Sequence, residues 1–265
     1  MLLRILLPFL IAFPLIAADD SWYSKIDTKL EASLYMPLSN GTIANTDEPP
    51  ATFEDDFGYT TSTASYFSLE VMLDYDYTPN FYVSYINMKD NETVTLTDDI
   101  YVADETFTSA GSISSDITFK IIDAVMYQDF MIKGDYFTLF GKKYYSGDLE
   151  FDPGLSVKII EWNLEIQDMT DITKDSSWIN IAEFIPLPYL GVKYYLYDLM
   201  VSANVSALSF SKAKATSYQA SVDYRVVDGL YLSAGYLYEQ FKAVEDHDTI
   251  NYKTSGYKVG FKYLF

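Results

Sequence analysis

The sequence predicts an all-β protein, a transmembrane antiparallel up-and-down β-barrel of about 10 strands. Apolar and polar residues alternate with a period of two in segment after segment, which is typical of strands. The first residues have the pattern of an export signal. Short turns alternate with long acidic stretches along the chain, as expected when turns gather at one end of a barrel and loops at the other.

The N-terminal segment predicts a signal peptide at 1–18, followed by the barrel at 19–265. Arg4 supplies the basic start, Ile5 to Ile16 forms a short apolar run, and Ala17-Ala18 provides a small-residue exit. The run is shorter than the roughly 20 residues that a transmembrane helix needs, and two prolines interrupt it. No later run is long and apolar enough to predict a spanning helix.

The composition excludes several functions. A net charge of −20 disfavours nucleic acid as a partner, because the phosphate backbone is itself anionic. The chain has no cysteine, so it has neither a disulfide framework nor a thiolate metal site. It has 25 tyrosines, and aromatic side chains with one polar end are enriched at membrane interfaces. We predict no cofactor and no metal site.

The last strand shows the alternation most clearly. One of its faces is entirely apolar or aromatic, and the other carries Lys258, Gly260, Lys262 and Leu264. The residues of the apolar face are Tyr257, Val259, Phe261, Tyr263 and Phe265.

This strand resembles the last strand of bacterial outer-membrane β-barrels, which typically ends in Phe. The resemblance implies that the outer-membrane assembly machinery reads Tyr257 to Phe265, and that the protein lies in the outer membrane of a Gram-negative bacterium. The lipids there, including lipopolysaccharide, would be its partners. The chain is also similar to small outer-membrane proteins without an assigned activity, loosely OmpW-like in size. Four segments carry that similarity: 137–141, 188–192, 234–236 and 260–265.

Five strands are predicted in the N-terminal half and five in the C-terminal third. The predicted segments are 26–36, 66–77, 81–95, 116–127, 136–145, 190–196, 199–207, 218–226, 230–239 and 257–265. Within the eighth, Tyr218, Ala220, Val222 and Tyr224 should face lipid. The alternation of the fourth strand would point Asp123 to lipid, which is costly unless a bulge or a position near the rim relieves it.

The stretch from Gly147 to Pro188 leaves the strand count open. Leu155 to Gln167 resembles a strand with a phase slip at Ile159-Ile160, and Ser177 to Ile185 could be another. A hairpin above the membrane gives ten strands and a membrane hairpin gives twelve; both are even, as single-chain bacterial barrels require. Ten is favoured.

Turn and loop lengths predict the orientation. Short turns at 79–80, 128–129, 197–198 and 228–229 would lie on the periplasmic side, with the C-terminus. Long loops at 37–62, 91–115, 147–188 and 243–251 would lie outside.

The inward positions carry mixed charges. The predicted lumen-lining residues are Glu70, Asp74, Lys193, Asp223, Arg225, Glu239, Lys258 and Lys262. A barrel of this size is largely filled by its own side chains, and oppositely charged neighbours such as Asp223 and Arg225 can pair. We therefore expect a structural or surface-binding outer-membrane protein and not a general porin. The alternative is a narrow channel for the uptake of small molecules, including apolar ones.

No constellation predicts an enzyme. The only histidine, His247, lies among acids of the last outer loop. Omptin proteases use Asp and His at the outer rim, so an omptin-like surface hydrolase is the third hypothesis. A general base needs an orienting carboxylate and a placed water or nucleophile, which one loop histidine does not show. The acidic clusters of the loops, such as Asp148, Glu150 and Asp152, lack the spacing of a known calcium loop. They are interpreted as solvated surface, although divalent ions could bridge them to lipopolysaccharide phosphates.

Overall fold

The structure is a computed structural model that describes residues 26–45, 49–73, 78–102, 105–140, 142–171, 176–209, 213–245 and 248–265. Ten long strands of this part form one barrel. They are β1 Ile26–Asn45, β2 Ala64–Leu73, β3 Asn80–Thr95, β4 Ser112–Tyr127, β5 Asp148–Asp168, β6 Ser177–Leu196, β7 Leu199–Ser209, β8 Ala213–Val227, β9 Leu230–Glu245 and β10 Asp248–Leu264. The predicted signal peptide lies outside the described residues.

Each strand pairs antiparallel with the strands before and after it, and the first closes onto the last. Ser33 of β1 stands opposite Gly260 of β10, while Asn163 of β5 stands opposite Asn180 of β6. The sheet is therefore closed and has no open edge. Closure is required within lipid, because no water is present there to hydrogen-bond the backbone groups of an open edge. The predicted all-β, ten-stranded, up-and-down barrel is confirmed. Two short strands, Ala51–Thr52 and Phe130–Ile132, add to its sheet without making it twelve-stranded.

The two ends of the barrel differ. At one end, which we call the turn end, Tyr197-Asp198 joins β6 to β7 and Asp228-Gly229 joins β8 to β9. Tyr197 and Gly229 have φ values of 54° and 76°, which tight turns require. The chain enters and leaves the barrel at this end, because Ile26 and Leu264 lie there. At the opposite, loop end, the described connecting residues are 49–63, 96–102, 105–111, 169–171 and 176. Among the described residues no helix is long and apolar enough to cross a membrane.

The middle of the chain corrects the prediction. The stretch 147–188, predicted as a long outer loop, forms most of β5 and β6, which pair along almost their whole length. The expected phase slip at Ile159-Ile160 is absent, since side chains alternate without interruption along β5. The hydrophobic residues change face there because the surroundings of the strand change, and not because its backbone shifts.

The predicted fifth strand is not part of the barrel wall. Tyr136–Leu139 and Lys142–Tyr145 instead pair with each other in a separate two-stranded hairpin at the turn end. The connection between β4 and β5 therefore runs from 128 to 147, where a short turn at 128–129 was predicted. The count of ten was right, although one of its members, 136–145, was misplaced and the strand at 148–168 was left out of the ten.

Seen from the outside, the wall near the turn end is apolar. Its outward side chains form a belt on every side of the barrel that consists of large hydrophobic residues. Exposed members include Leu34, Phe67, Phe81, Met126, Leu155, Leu190, Val201, Val222, Leu232, Val259, Phe261 and Phe265. From Tyr257 to Phe265, a strand rising about 3.3 Å per residue with a tilt of about 40° spans about 20 Å, close to the apolar band of membrane barrels. This is the lipid-facing surface.

The belt ends abruptly towards the loop end. The strand register aligns Tyr85, Ile122, Ile159 and Phe184 in one outward row. The next outward row, two residues further, consists of Asn87, Lys120, Glu161 and Ala182. We place the membrane boundary between these rows, and call the barrel on the turn-end side the lower segment and the remainder the upper segment.

The interior changes at the same level. Along β5, the inward side chains of the lower segment include Asp152 and Lys158, whereas those of the upper segment are Ile160, Trp162, Leu164 and Ile166. The upper segment is therefore organised like a water-soluble protein, with an apolar core inside and polar residues outside.

Candidate functional site

The loop end of the lumen is filled by a plug, which we define as residues 49–63 between β1 and β2. Phe53, Phe57 and Tyr59 of this segment have no solvent exposure. The Phe53 ring lies 5.8 Å from the ring of Trp162 and 5.2 Å from that of Tyr252, measured between centroids, and both contacts are edge-on. Burial raises the pKa of the Tyr59 phenol above its ordinary value, so this side chain stays neutral.

Backbone hydrogen bonds fix the plug to β1. The amide of Ser39 donates to the carbonyl of Thr60 at 3.2 Å, and the amide of Ser62 donates to the carbonyl of Pro37 at 2.9 Å. Within the segment, the amide of Thr52 donates to the carboxylate of Asp56 at 2.7 Å. These bonds order the segment over the lumen, so the aromatic side chains are held in place from both ends.

The upper core continues around the plug. Its fully buried side chains come from strands on different sides of the barrel, and their aromatic rings contact one another. They include Tyr35, Ile43, Phe119, Trp162, Phe241 and Tyr252. The rings of Phe119 and Phe241 stack at 5.8 Å between centroids. An ion would lose its hydration in such a core without gaining polar partners, which is strongly unfavourable.

A layer of tyrosines separates this core from the charges below. The Lys258 ammonium lies 3.9 Å from the centre of the Tyr66 ring, a cation–π contact. The hydroxyl of Tyr66 hydrogen-bonds to that of Tyr82 and donates to Gln219 at 3.2 Å. The tyrosines thus present an apolar ring to one side and a polar group to the other.

The lower lumen is built around Lys193. Its ammonium lies 3.0 Å from Glu70, 2.8 Å from Glu150 and 3.1 Å from Asp152, and these side chains are almost completely buried. Glu70 also accepts hydrogen bonds from Lys29 at 2.8 Å and from Tyr127 at 2.5 Å. Several acceptors around each ammonium reduce the cost of removing the charges from water.

Two further clusters have the same character. Lys158 contacts Asp123 at 2.7 Å and Glu239 at 3.1 Å. Lys258 contacts Glu31 at 2.6 Å, and Lys262 contacts Asp223 at 2.8 Å. All cations of these clusters are lysines. Lys158 pairs with Asp123 on the neighbouring strand β4 and also reaches Glu239 of β9 across the lumen.

The network leaves little open space. A cavity of about 50 Å³ lies between Lys29, Glu70, Asp152 and Lys193, which is enough for about one water molecule. A wider vestibule of about 390 Å³ opens at the turn end, beside Asp27, Tyr195, Tyr231 and Lys262. The lumen is therefore open to solvent at the turn end and filled from there upward.

Most of the predicted lumen residues do line the lumen. Glu70, Lys193, Asp223, Glu239, Lys258 and Lys262 are buried inside the barrel. Asp74 lies outside the described residues. Arg225 is a correction: it is exposed at the turn end, beside a register shift of β8 between Arg225 and Val227, and its guanidinium pairs with Asp198 at 2.5 Å. Asp223 accordingly pairs with Lys262 and not with Arg225.

Sequence reasoning missed several members of the network, namely Lys29, Glu31, Asp123, Glu150, Asp152 and Lys158. Asp123, predicted to face lipid, points inward and pairs with Lys158, because the inward positions of β4 are the odd-numbered ones. Glu150 and Asp152, assigned to an acidic loop, lie in the wall of β5. The alternation of β5 through Phe151, Leu155 and Ile159 was the signal that could have identified them.

The predicted assembly strand has the expected geometry. Tyr257, Val259, Phe261, Tyr263 and Phe265 all point outward and are exposed. The amide of Phe265 donates to the carbonyl of Thr28 at 2.9 Å, which joins the chain end to β1. Whether assembly machinery recognises this strand stays a prediction.

The described residues contain no group of three or more acidic, His or Cys side chains that could hold a metal ion. His247 lies outside them. Buried carboxylates of the lumen accept hydrogen bonds from lysines: Asp123 from Lys158, Glu70 from Lys193 and Glu31 from Lys258.

No protein-family model and no curated protein sequence matches the chain. Solved structures do. The outer membrane protease OmpT from Escherichia coli has 9% identity over 91% of this chain and 97% of that chain, with a TM-score of 0.45. The translocator domain of autotransporter NalP from Neisseria meningitidis has 13% identity over 95% of this chain and 91% of that chain, with a TM-score of 0.41. Neisserial surface protein A has 12% identity over 89% of this chain and 96% of that chain, with a TM-score of 0.34.

The fold and the lumen define a transmembrane β-barrel with a closed interior, and the similar solved structures are outer-membrane β-barrel proteins. Their low identities and TM-scores give no argument about activity. The OmpW-like resemblance stays a prediction.

Proposed function

We propose that the protein is an outer-membrane β-barrel with a structural or surface-binding role and no catalytic activity. The carrying observation is the filled lumen, in which the plug and the aromatic core occupy the loop end above a paired charge network. In this proposal the barrel presents its upper segment and loops outside the membrane and does not conduct solutes.

The orientation follows from the C-terminal strand, with the turn end in the periplasm and the loop end outside. The exposed aromatic side chains of Tyr257 to Phe265 support recognition by the outer-membrane assembly machinery. Deleting Phe265 should reduce the amount of folded protein at the cell surface. Unchanged surface labelling of a tag in the 96–111 connection would contradict this assignment.

Conductance in planar bilayers tests the closed lumen. We expect the purified protein to be electrically silent, and a variant with Phe53→Ser, Phe57→Ser and Tyr59→Ser to conduct, because polar side chains would admit water to the upper core. Substituting the exposed Asp98 and Asp99 by Ser is the matched control. Steady conductance of the unsubstituted protein, or rapid entry of disaccharides into liposomes containing it, would favour the channel alternative.

Lipopolysaccharide is the lipid partner that the surface supports. Lys214 of β8 stands directly opposite Lys242 of β9, and Lys253 of β10 follows one outward row closer to the membrane. Opposed like charges are unfavourable without an anion between them. Among the described outward residues of β1 and β7–β10 there is no carboxylate. We infer that these lysines bind phosphate groups of lipopolysaccharide.

Native mass spectrometry in detergent tests this inference. Lys214→Gln with Lys242→Gln should reduce the fraction of protein carrying lipopolysaccharide, whereas Lys89→Gln, on the other side of the barrel, should not. Equal binding of enzymatically dephosphorylated lipopolysaccharide would contradict the inference.

The omptin-like hydrolase remains the third hypothesis, and it depends on His247. We expect neither the unsubstituted protein nor His247→Ala to hydrolyse peptides or lipids. Hydrolysis that disappears with His247→Ala would replace the structural role by an enzymatic one.

A further inference from the structure

The hairpin at the turn end, which we define by its described residues 130–140 and 142–145, differs from the two tight turns at that end. The turns at 197–198 and 228–229 close the barrel in two residues. The hairpin instead projects a second sheet, in which Thr138 stands opposite Lys143 and Tyr145 opposite Tyr136. Such a projection needs contacts of its own, because an isolated two-stranded hairpin is marginally stable in water.

Its apolar side chains are largely uncovered. Phe140, at the tip, is 94% exposed, Tyr136 is 71% exposed, and Phe137 and Leu139 are each 49% exposed. The backbone of Phe140 has a φ of 49°, in the left-handed region. The rings of Phe137 and Tyr144 stack at 5.8 Å between centroids, yet both remain exposed. An apolar patch of this kind marks an interaction surface.

The charges of the hairpin are opposite to those of the chain. The protein has a net charge of −20, but residues 130–145 contain three lysines and a single acid. The acid is Asp135, and the lysines are Lys133, Lys142 and Lys143. Lys142 and Lys143 are exposed beside the apolar tip. Aromatic residues next to lysines are suited to an interface between hydrocarbon and anionic headgroups.

The patch continues the lipid-facing belt. Phe130 stands opposite Phe151, and Ile132 stands opposite Leu149, on the outward face of β5. Phe130 and Ile132 are more than half exposed, and Phe151 beside them is 36% exposed. The hairpin also rests on the outside of β6, where the hydroxyl of Tyr194 donates to the carbonyl of Ser146 at 2.6 Å. Its base therefore lies at the edge of the bilayer.

These observations point to a lipid partner, and we propose that the hairpin is a membrane anchor that inserts Leu139 and Phe140 into the leaflet on the turn-end side. Its lysines bind the headgroups of anionic phospholipids there. The depth of the barrel in the membrane is thereby fixed by a contact outside its wall. The proposal does not depend on which membrane holds the barrel, so it goes beyond the proposed function.

A single label tests the insertion, because the chain has no cysteine of its own. Phe140→Cys, carrying a nitroxide, is reconstituted in nanodiscs of phosphatidylethanolamine and phosphatidylglycerol. We expect the label to collide with oxygen several-fold more often than with a water-soluble nickel chelate. Asp228→Cys, in the tight turn at the same end, is the control and should show the reverse preference. A label at 140 that prefers the nickel chelate would overturn the proposal.

The lysines are tested in the same system. Lys142→Gln with Lys143→Gln should lower the oxygen preference of the label at 140 in nanodiscs containing phosphatidylglycerol. In nanodiscs of phosphatidylcholine alone, the same substitutions should have little effect. If the label at 140 has the same oxygen preference with and without the two lysines in the anionic nanodiscs, the proposed headgroup contact is overturned. Silent conductance and surface location are measured separately, so failure of the anchor leaves the proposed function intact.

Discussion

The lower segment of the barrel is apolar outside and charged inside, whereas the upper segment is polar outside and apolar inside, although the same strands build both. On β5, Ile159 faces lipid while its neighbour Lys158 is buried in the network. Two residues further, Glu161 faces solvent and Trp162 is buried in the core. The backbone alternation is unchanged, so the medium around the barrel decides which face is hydrophobic.

The difference shows what holds each segment together. In the lower segment lipid replaces water outside, so polar groups must find partners within the lumen, and lysine–carboxylate pairs supply them. In the upper segment, water outside drives the burial of Trp162, Phe241 and Tyr252 in the usual way. A substitution should therefore have opposite consequences in the two segments.

The largest effect is expected for Lys193→Met. Removing this ammonium leaves Glu70, Glu150 and Asp152 buried around an apolar group, which should cost about 3–5 kcal/mol of the free energy of unfolding. Urea unfolding in lipid vesicles measures it. Lys133→Met is the control, because that side chain is 74% exposed and lies 3.8 Å from Asp148. A loss for Lys193→Met no larger than the control would show that water fills the lower lumen.

A smaller effect is expected for arginine on the outside. Val222 and Thr216 both point outward on β8, Val222 in the apolar belt and Thr216 in a polar row with Gln240 and Lys253. Val222→Arg should cost about 2–4 kcal/mol if the site lies near the bilayer midplane, and Thr216→Arg should cost about 0–1 kcal/mol. Urea unfolding in vesicles compares the two directly. Equal costs would mean that the boundary is misplaced.

The barrel was predictable in those parts of its strands that lie within the lower segment. β10 reads as one apolar face from Tyr257 to Phe265, and β8 shows the same pattern from Tyr218 to Tyr224. β5 and the first part of β6 were left out of the ten predicted strands because their apolar face changes at the boundary, so a single periodic pattern breaks into two. Ile159-Ile160 resembled a phase slip, although one residue contacts lipid and the other the core.

The lumen was predictable only in part. The alternation of inward and outward positions identified Glu70, Lys193 and Asp223 as lumen residues, since these parts of their strands had been placed correctly. It could not predict pairing, because Lys262 and Asp223 are 39 residues apart and meet only after the barrel closes. The plug was not predicted, because Phe53 and Phe57 lie among acids that resemble a solvated loop.

The smallest effect tests the boundary most finely. Lys120 and Glu161 form an ion pair at 3.0 Å in the first polar outward row, with 36% and 50% of their side chains exposed. An exposed pair of this kind contributes about 0.2–1 kcal/mol, because water screens it. A double-mutant cycle with Lys120→Met and Glu161→Gln measures the coupling, and added salt should weaken it. A coupling of several kcal/mol that is insensitive to salt would require a medium of low dielectric constant around the pair. The row would then lie within the lipid, and the boundary between the two segments would have to move towards the loop end.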